Sequence, residues 1–559
     1  MNDSQTSPLL SGLDHQFQEQ EKVKMQQNGG WRSAVYIIGV EVAERFAFFG
    51  ISVNLIMYLT DVLHNSTASA AMVVNIWSGV STILPILGAI IADSYLGRYL
   101  TILLSSLVYL LVCLNREIEN RTLQGISLLT LSVATVIPLR YRELLFFMSL
   151  YVVAIGEGGH RPCVQSFGAD QFSEGAEEEQ KAKASFFNWW YLGIIAGGNM
   201  GILILSYIQD NVGWVILFAT AAIAMVIALC VFLFGSRIYK QQGPSGCSPL
   251  AQFAKVIVAT VRKWNLHPRK DDQDHEGGFM SVAEEVTPRT NQFRFLDKAA
   301  VRDEYDPPSC ENSWRLCTQA QVEEAKQIMS LLPIWSGCLM FAVVLPQLGT
   351  LFIKQCSTMD RKITSSLALP PASQAVIVGL TVILSIPIYD RVVVPTMRGF
   401  TGIPSGITML QRIGIGMVLS VTSMVIAALV ENRRLRVARE HGPYDHPNAA
   451  VPMSCWWLIP QNVVLGLSDV LGVVGMQEFF YDQMPEGMRS IGAAAYLSIL
   501  GVGSISSSVI ISVIQTIRPE WLTNDINNSR LDYYYCLLAG LSILWLGFYI
   551  SAAKYFVYK

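Results

Sequence analysis

Apolar runs on the scale of a bilayer recur from one end of this chain to the other, and nothing else in the sequence restricts its fold as much. Ser33 to Leu59, Leu144 to Val153, Trp214 to Phe234 and Leu537 to Phe548 are examples. Several approach the ~20 residues that a helix needs to cross ~30 Å of hydrocarbon. Charge is scarce to match: 15% of the residues are charged and 52% apolar, with mean hydropathy +0.38, whereas soluble chains carry about 25% charge. The solvent is therefore largely lipid, and the chain is expected to be an all-α integral membrane protein.

Hydropathy places spans near Ser33 to Leu59, Ala70 to Ala92, Tyr95 to Pro138 (interrupted), Leu144 to Phe167, Ser185 to Tyr207 and Trp214 to Phe234. A polar stretch from Ser236 to Glu324 follows, carrying Arg262-Lys263, Arg269-Lys270 and the acids Asp271, Asp272 and Asp274. Six more spans lie near Ala325 to Leu345, Pro371 to Tyr389, Ile407 to Val430, Ser454 to Gly475, Ile491 to Ile514 and Asp532 to Phe556. About twelve transmembrane helices in two six-helix bundles result. The expected organisation is a cytosolic tail over residues 1–32, a first bundle over 33–235, a cytosolic linker over 236–324 and a second bundle over 325–559. The first thirty residues are polar and lack the apolar core and cleavage site of a signal peptide, so they are expected to remain as the tail. With that end inside, Lys22, Lys24, Arg98, Arg237, Arg391, Arg398 and Lys554 fall on the cytosolic side, as the positive-inside bias requires. The connection from Glu431 to Pro447 breaks the bias: it holds Arg433, Arg434, Arg436 and Arg439, yet an even count of spans puts it outside.

Several function classes drop out. A net charge of −3 implies no strongly acidic or basic partner, and no basic and aromatic surface points to nucleic acid. The ten cysteines show no CxxC or metal-ligand spacing and read as reduced or buried thiols. Six of the seven histidines sit in polar connections, leaving His160 alone at membrane depth, which argues against a membrane metalloenzyme. Neither a metal, a cofactor nor an enzymatic activity is expected.

The informative residues are charges in the wrong solvent. An ionised side chain at the centre of a membrane helix costs roughly 2.5–3.5 kcal/mol, so such residues face a cavity or a partner and carry function. The first span holds Glu41, Glu44 and Arg45, at i, i+3 and i+4 on one helical face. At least nine residues past Arg32, they lie roughly 13 Å or more into the core at 1.5 Å per residue. A carboxylate there feels opposed effects, burial disfavouring its charge and Arg45 favouring it, so it can exchange a proton in the physiological range. Arg161 in the fourth span and Asp469 and Glu478 in or near the end of the tenth add further charge. Arg161 and Glu478 belong to different halves and are expected to pair when the halves meet and separate when they part. The plainer alternative is a salt bridge that only fixes helix packing; the clustering of these ionisable groups favours a transport path.

Read together, these residues resemble the proton-coupled oligopeptide transporters of the major facilitator superfamily, and within them the plant nitrate and peptide transporters. Glu41-Val42-Ala43-Glu44-Arg45 resembles the ExxER motif, whose acids and arginine the resemblance assigns to proton coupling. GAIIADSYLGRY, Gly88 to Tyr99, is similar to the loop in which Asp93 and Arg98 latch the cytosolic gate. FGADQF at Phe167 to Phe172, FFNWWY at Phe186 to Tyr191, LQRIGIG at Leu410 to Gly416 and QEFFYDQMPEGMRS at Gln477 to Ser490 follow in order. The resemblance implies the major facilitator fold, a substrate site at the midplane, alternating access by rocking, and symport of a small solute with protons. It also implies that Thr101, in Arg98-Tyr99-Leu100-Thr101, can be phosphorylated by a regulatory kinase, although a threonine at a helix start is commonly just a cap.

Departures from the family pattern bear on the substrate. Arg161 stands where lysine is usual, keeping the charge but not the ability to deprotonate. Phe48, Phe49 and Ile195 replace polar groups that face peptides, and Leu345, beside Gln347 in FAVVLPQLGT, replaces a histidine associated with nitrate. Nitrate or another small anion is the favoured substrate class because Arg45 and Arg161 offer positive charge. Di- and tripeptides or larger organic anions are alternatives, and a sensor that has lost flux is the rival from another class. Either the plasma or the vacuolar membrane suits the sequence. One segment fits poorly: Val112 to Gln124 (VCLNREIENRTLQ) brings Arg116, Glu117, Glu119 and Arg121 into the third span. Those charges would together cost on the order of 10 kcal/mol in hydrocarbon. The segment is read as a splicing or gene-model extension extruded on the outer side; the alternative is an ordinary outer loop after a span over Tyr95 to Leu114.

Overall fold

The computed structural model describes residues 29–111, 139–172, 177–241, 243, 249–264, 292–301, 314–364, 367–403, 406–440, 450–484 and 489–556. Nine helices among them are long and apolar enough to cross a membrane. These are α2 (Thr67–Leu96), α5 (Glu177–Asn211), α6 (Trp214–Gly235), α7 (Gln319–Ser357), α8 (Pro371–Thr401), α9 (Met409–Glu440), α10 (Cys455–Asp482), α11 (Arg489–Ile517) and α12 (Leu531–Tyr555). Three others run among them: α1 (Gly30–Ser52), α3 (Arg98–Leu111) and α4 (Leu139–Ala169). Charges set α1 and α4 apart, and α3 is described over only 14 residues. Val112 to Gln124 lies outside the described residues.

In the first bundle α1 packs on α5 and α6, and α4 packs on α2 and α3; in the second, α9 packs on α10 and α12, and α7 on α11 and α12. Small residues set these distances, as is usual where lipid supplies no hydrophobic drive between helices. Gly197 and Gly201 of α5 lie one turn apart against the backbone of α1: a Cβ on either would come within 2.5 Å of the Val42 carbonyl oxygen or 2.1 Å of the Phe46 one. Gly88 of α2 meets Gly158 of α4 just as closely, since a Cβ there would lie 2.0 Å from the Gly158 carbonyl oxygen. The acidic stretch of α1 and the charged stretch of α4 are thereby drawn into one bundle interior.

The two bundles meet along α2 with α11 and α5 with α8. Midway along, Gly79 and Gly501 touch backbone to backbone; a Cβ on Gly79 would lie 2.7 Å from the Gly501 carbonyl oxygen. Toward the end that an even count of spans places outside, the seam becomes polar. Asn75 and Gln347 both donate to the Ser507 hydroxyl, at 3.2 and 3.1 Å, and Ser508 donates to the Met72 carbonyl at 2.9 Å. At the rim Lys354 pairs with Asp61 at 3.3 Å and Arg361 with Asp210 at 3.1 Å.

The arginine-rich connection of the second bundle needs correction. Met409–Glu440 is one helix, so Arg433, Arg434, Arg436 and Arg439 are helical rather than loop residues. Arg434 is fully buried, holding Glu431 in a fork at 2.7 and 2.8 Å and donating to the Asn527 side chain, the Thr358 hydroxyl and the Ile526 carbonyl. A desolvated, paired arginine is a packing element that ties α9 to its neighbours, not a free loop charge of the kind the positive-inside bias counts. A short parallel ladder joins the same end, β1 (Met359–Asp360) beside β2 (Val451–Ser454).

Candidate functional site

The ExxER triplet forms the centre of a buried charge cluster. Arg45 reaches Glu41 at 3.0 Å and Glu44 at 2.6 Å through Nε, and Glu157 of α4 at 2.9 Å through Nη2. All four side chains are at most 2% exposed. Glu157 is the residue that sequence reasoning missed, although its position four residues before Arg161 in the fourth span was a visible signal. It stands 3.9 Å from Arg161, so the cluster extends from α1 to a partly exposed arginine of α4. Glu44 and Glu157 approach Arg45 from α1 and α4, and both carboxylate oxygens of Glu44 and one of Glu157 lack a hydrogen-bond donor in this structure. Three carboxylates share one guanidinium, and an unmatched buried carboxylate is relieved by taking up a proton. Three acids around Arg45 thus make a site that can store and release protons.

The aromatic residues replacing polar ones after ExxER pack as a wall: Arg45 lies 5.6 Å over the ring of Phe48, which stacks on Trp77 at 5.5 Å and meets Phe49 edge-on at 5.6 Å. Ile195 is half-buried on α5, its carbonyl accepting from Asn199. Leu345 is half-buried, and Gln347 is fully buried in the outer seam rather than presented to an open cavity. His160 is buried beside Glu157, with neither ring nitrogen hydrogen-bonded in this structure.

The expected Arg161–Glu478 pair is not formed. Glu478 sits near the end of α10, its side chain 47% exposed, and pairs with Arg412 of α9 at 2.9 Å. Arg412 also donates to the Val470 carbonyl and lies 4.5 Å over the Tyr389 ring, so Glu478 is held within its own bundle. The reason is depth: nine residues of helix separate Asp469 from Glu478, about 13 Å along the axis. Asp469 is the deeper acid of α10. Tyr496 of α11 interacts with both Arg161 and Asp469, and Tyr191 of α5 with Asp469.

Asp93 and Arg98 come together as the motif suggests, at 3.4 Å, and Arg98 also pairs with Asp170 of FGADQF. Each bundle therefore clasps an arginine at the start of its third helix to an acid near the end of its fourth: Arg98 to Asp170, and Arg412 to Glu478. Thr101 is buried, and its hydroxyl donates to the Gly97 carbonyl at 2.9 Å, so in this conformation it offers a kinase no free hydroxyl.

The comparisons with known proteins agree with this architecture. A family model described as the POT family matches residues 99–527. Protein NRT1/PTR FAMILY 5.4 of Arabidopsis thaliana is 49% identical over 544 residues, covering 95% of each chain. Protein NRT1/PTR FAMILY 5.10 of the same plant is 45% identical over 576 residues, covering 100% of this chain and 98% of its own. Among solved structures, the POT family transporter PepTSo superposes with a TM-score of 0.70 at 20% identity, over 94% of this chain and 98% of that one, and so shares the fold. An auto-inhibited POT family peptide transporter superposes with a TM-score of 0.69 at 19% identity, over 94% and 98%. With its major facilitator fold and its whole-length likeness to these plant proteins, the chain belongs to the POT family of proton-coupled transporters, in the NRT1/PTR branch.

Proposed function

We propose that the chain is a symporter that couples protons to a small solute, with nitrate or another small anion as the favoured class. The carrying observation is the unequal state of the two arginines. Arg45 is enclosed by three carboxylates, whereas the Arg161 side chain is 32% exposed and has one loose acidic neighbour. Arg161 is then the cation that takes the solute's anionic group, while the α1 acids hold protons. Asp469, on the opposite bundle, becomes its partner when the halves shift relative to one another; protonating Asp469 then releases Arg161 to an anion. This replaces Glu478 in the interhalf switch. The polar seam and ion pairs at the outer rim support reading this conformation as one closed outside, with the site reached from the cytosol.

A second reading, symport of di- and tripeptides, is favoured by Asp469 with Tyr191 and Tyr496, a set suited to an ammonium group. Uptake of nitrate and of a dipeptide at acidic and neutral outside pH, with and without an uncoupler, decides between them. Nitrate accumulation that collapses with the uncoupler and is lost in Arg161→Ala supports the anion reading. Accumulation of the dipeptide alone overturns it in favour of peptide, and binding without accumulation of either favours a sensor. Whether the plasma or the vacuolar membrane houses the carrier is read by locating a tagged full chain.

A further inference from the structure

Cys356 and Cys455 are two of the seven free cysteines among the described residues, and they are neighbours whose thiols interact with each other in one buried apolar cluster. They come from distant parts of the sequence, the last turn of α7 and the residue following β2. The chain is pinned there on both sides: Val451 N–H donates to the Thr358 carbonyl at 2.8 Å, and Met359 pairs with Val451 and Asp360 with Ser454 across a register shift. Both cysteines are buried, in an apolar cluster with Met359, Val430, Val451, Met453 and Leu458. This cluster lies beside the fork of Arg434 and Glu431, at the end of the second bundle that an even count of spans places outside. Two neighbouring buried thiols beside a strand pairing, at the end that the even count of spans puts on the lumenal side during synthesis, are placed where disulfides form.

We propose that Cys356 and Cys455 are oxidised to a disulfide that staples α7 to α10 at the outer face. Each thiol gives up its hydrogen, the two sulfur atoms bond, and the two electrons pass to the disulfide of a lumenal thiol oxidoreductase, which leaves as a dithiol. Oxidation precedes closure of the apolar cluster, because the finished pair is buried. Both cysteines belong to the second bundle, so the staple fixes that bundle internally and leaves the rocking of the halves free. The remaining buried thiols, such as Cys338 in the interior of α7 and Cys163 in α4, have no such partner placement and stay reduced.

The test is a non-reducing peptide map of the full chain, expressed in eukaryotic cells and denatured directly into N-ethylmaleimide. The expected result is a linked peptide pair containing Cys356 and Cys455, two hydrogens lighter than the sum of its thiol forms and split by reductant. Maleimide adducts on both cysteines of the wild-type chain would overturn the proposal. In Cys356→Ser, Cys455 is expected to become maleimide-reactive; its continued protection would mean a different partner and would equally overturn the pairing. None of these readouts depends on uptake, so the result stands apart from the transport reading and also reports which face of the membrane this end occupies.

Discussion

Replacing Asp61 and Asp210 by asparagine removes the two rim charges of the first bundle while nearly keeping their shape. Each contributes one ion pair across the seam, Asp61 with Lys354 and Asp210 with Arg361. The cations keep other contacts, Lys354 to the Thr60 hydroxyl and Arg361 to the Leu369 carbonyl, so neither is stranded without a partner. The four side chains are between 13% and 46% exposed, which puts these pairs in the screened range of about 0.2–1 kcal/mol each. Lys354 is the most shielded, and the two pairs together are worth about 0.4–2 kcal/mol. A closed-outside state weakened by that amount yields to its competitor about 2- to 30-fold. Ser508→Cys, buried in the seam beside Met72, serves as the reporter in both backgrounds. A membrane-impermeant maleimide applied from outside labels it only when the outer seam opens. The double substitution is expected to raise the labelling rate more than twofold, and high salt is expected to shrink the difference. A rate within twofold of the parent, or a slower one, would refute the assignment of these pairs as the outer latch.

Glu41→Gln, Glu44→Gln and Glu157→Gln are each expected to abolish proton-driven accumulation while leaving insertion intact, measured by uptake at acidic outside pH beside surface expression; undiminished accumulation in all three would remove the cluster from proton coupling. Arg161→Ala and Asp469→Ala are expected to show a coupling energy of about 1–3 kcal/mol in a double-mutant cycle on solute uptake, whereas the Arg161→Ala and Glu478→Ala cycle is expected to be additive. Arg434→Ala strands Glu431 in the interior and is expected to destabilise the second bundle by about 3–5 kcal/mol, seen as a lowered Tm of the detergent-solubilised chain; an unchanged Tm would mean that water reaches the site.

The legible parts of this protein were those governed by spacing along one helix. Glu41, Glu44 and Arg45 announce a shared face by their intervals, and the apolar runs announce the spans. What depended on depth or on a partner from elsewhere was not legible. Asp469 and Glu478 look alike as acids of one span, and only the packing of α9, through Arg412, separates an acid clasped within its own bundle from one that is not. Glu157 hides for a similar reason, because its significance lies in Arg45 on another helix. The end of α9 was misplaced because hydropathy falls at Glu431, whereas the helix continues for as long as Gln355, Asn527 and Glu431 satisfy its buried polar groups.

The close contact between Gly79 and Gly501 has a kinetic consequence. Each glycine is the floor of a notch filled by an isoleucine of the facing helix, Ile505 against Gly79 and Ile83 against Gly501. The crossing therefore works as a pair of detents rather than as a smooth bearing. A tilt of one bundle about this point has to ease both isoleucines in their notches, so the roll itself carries a barrier beside that of the polar contacts nearer the rim. A methyl group on the notch floor, as in Gly79→Ala, would push Ile505 out and loosen the detent on one side.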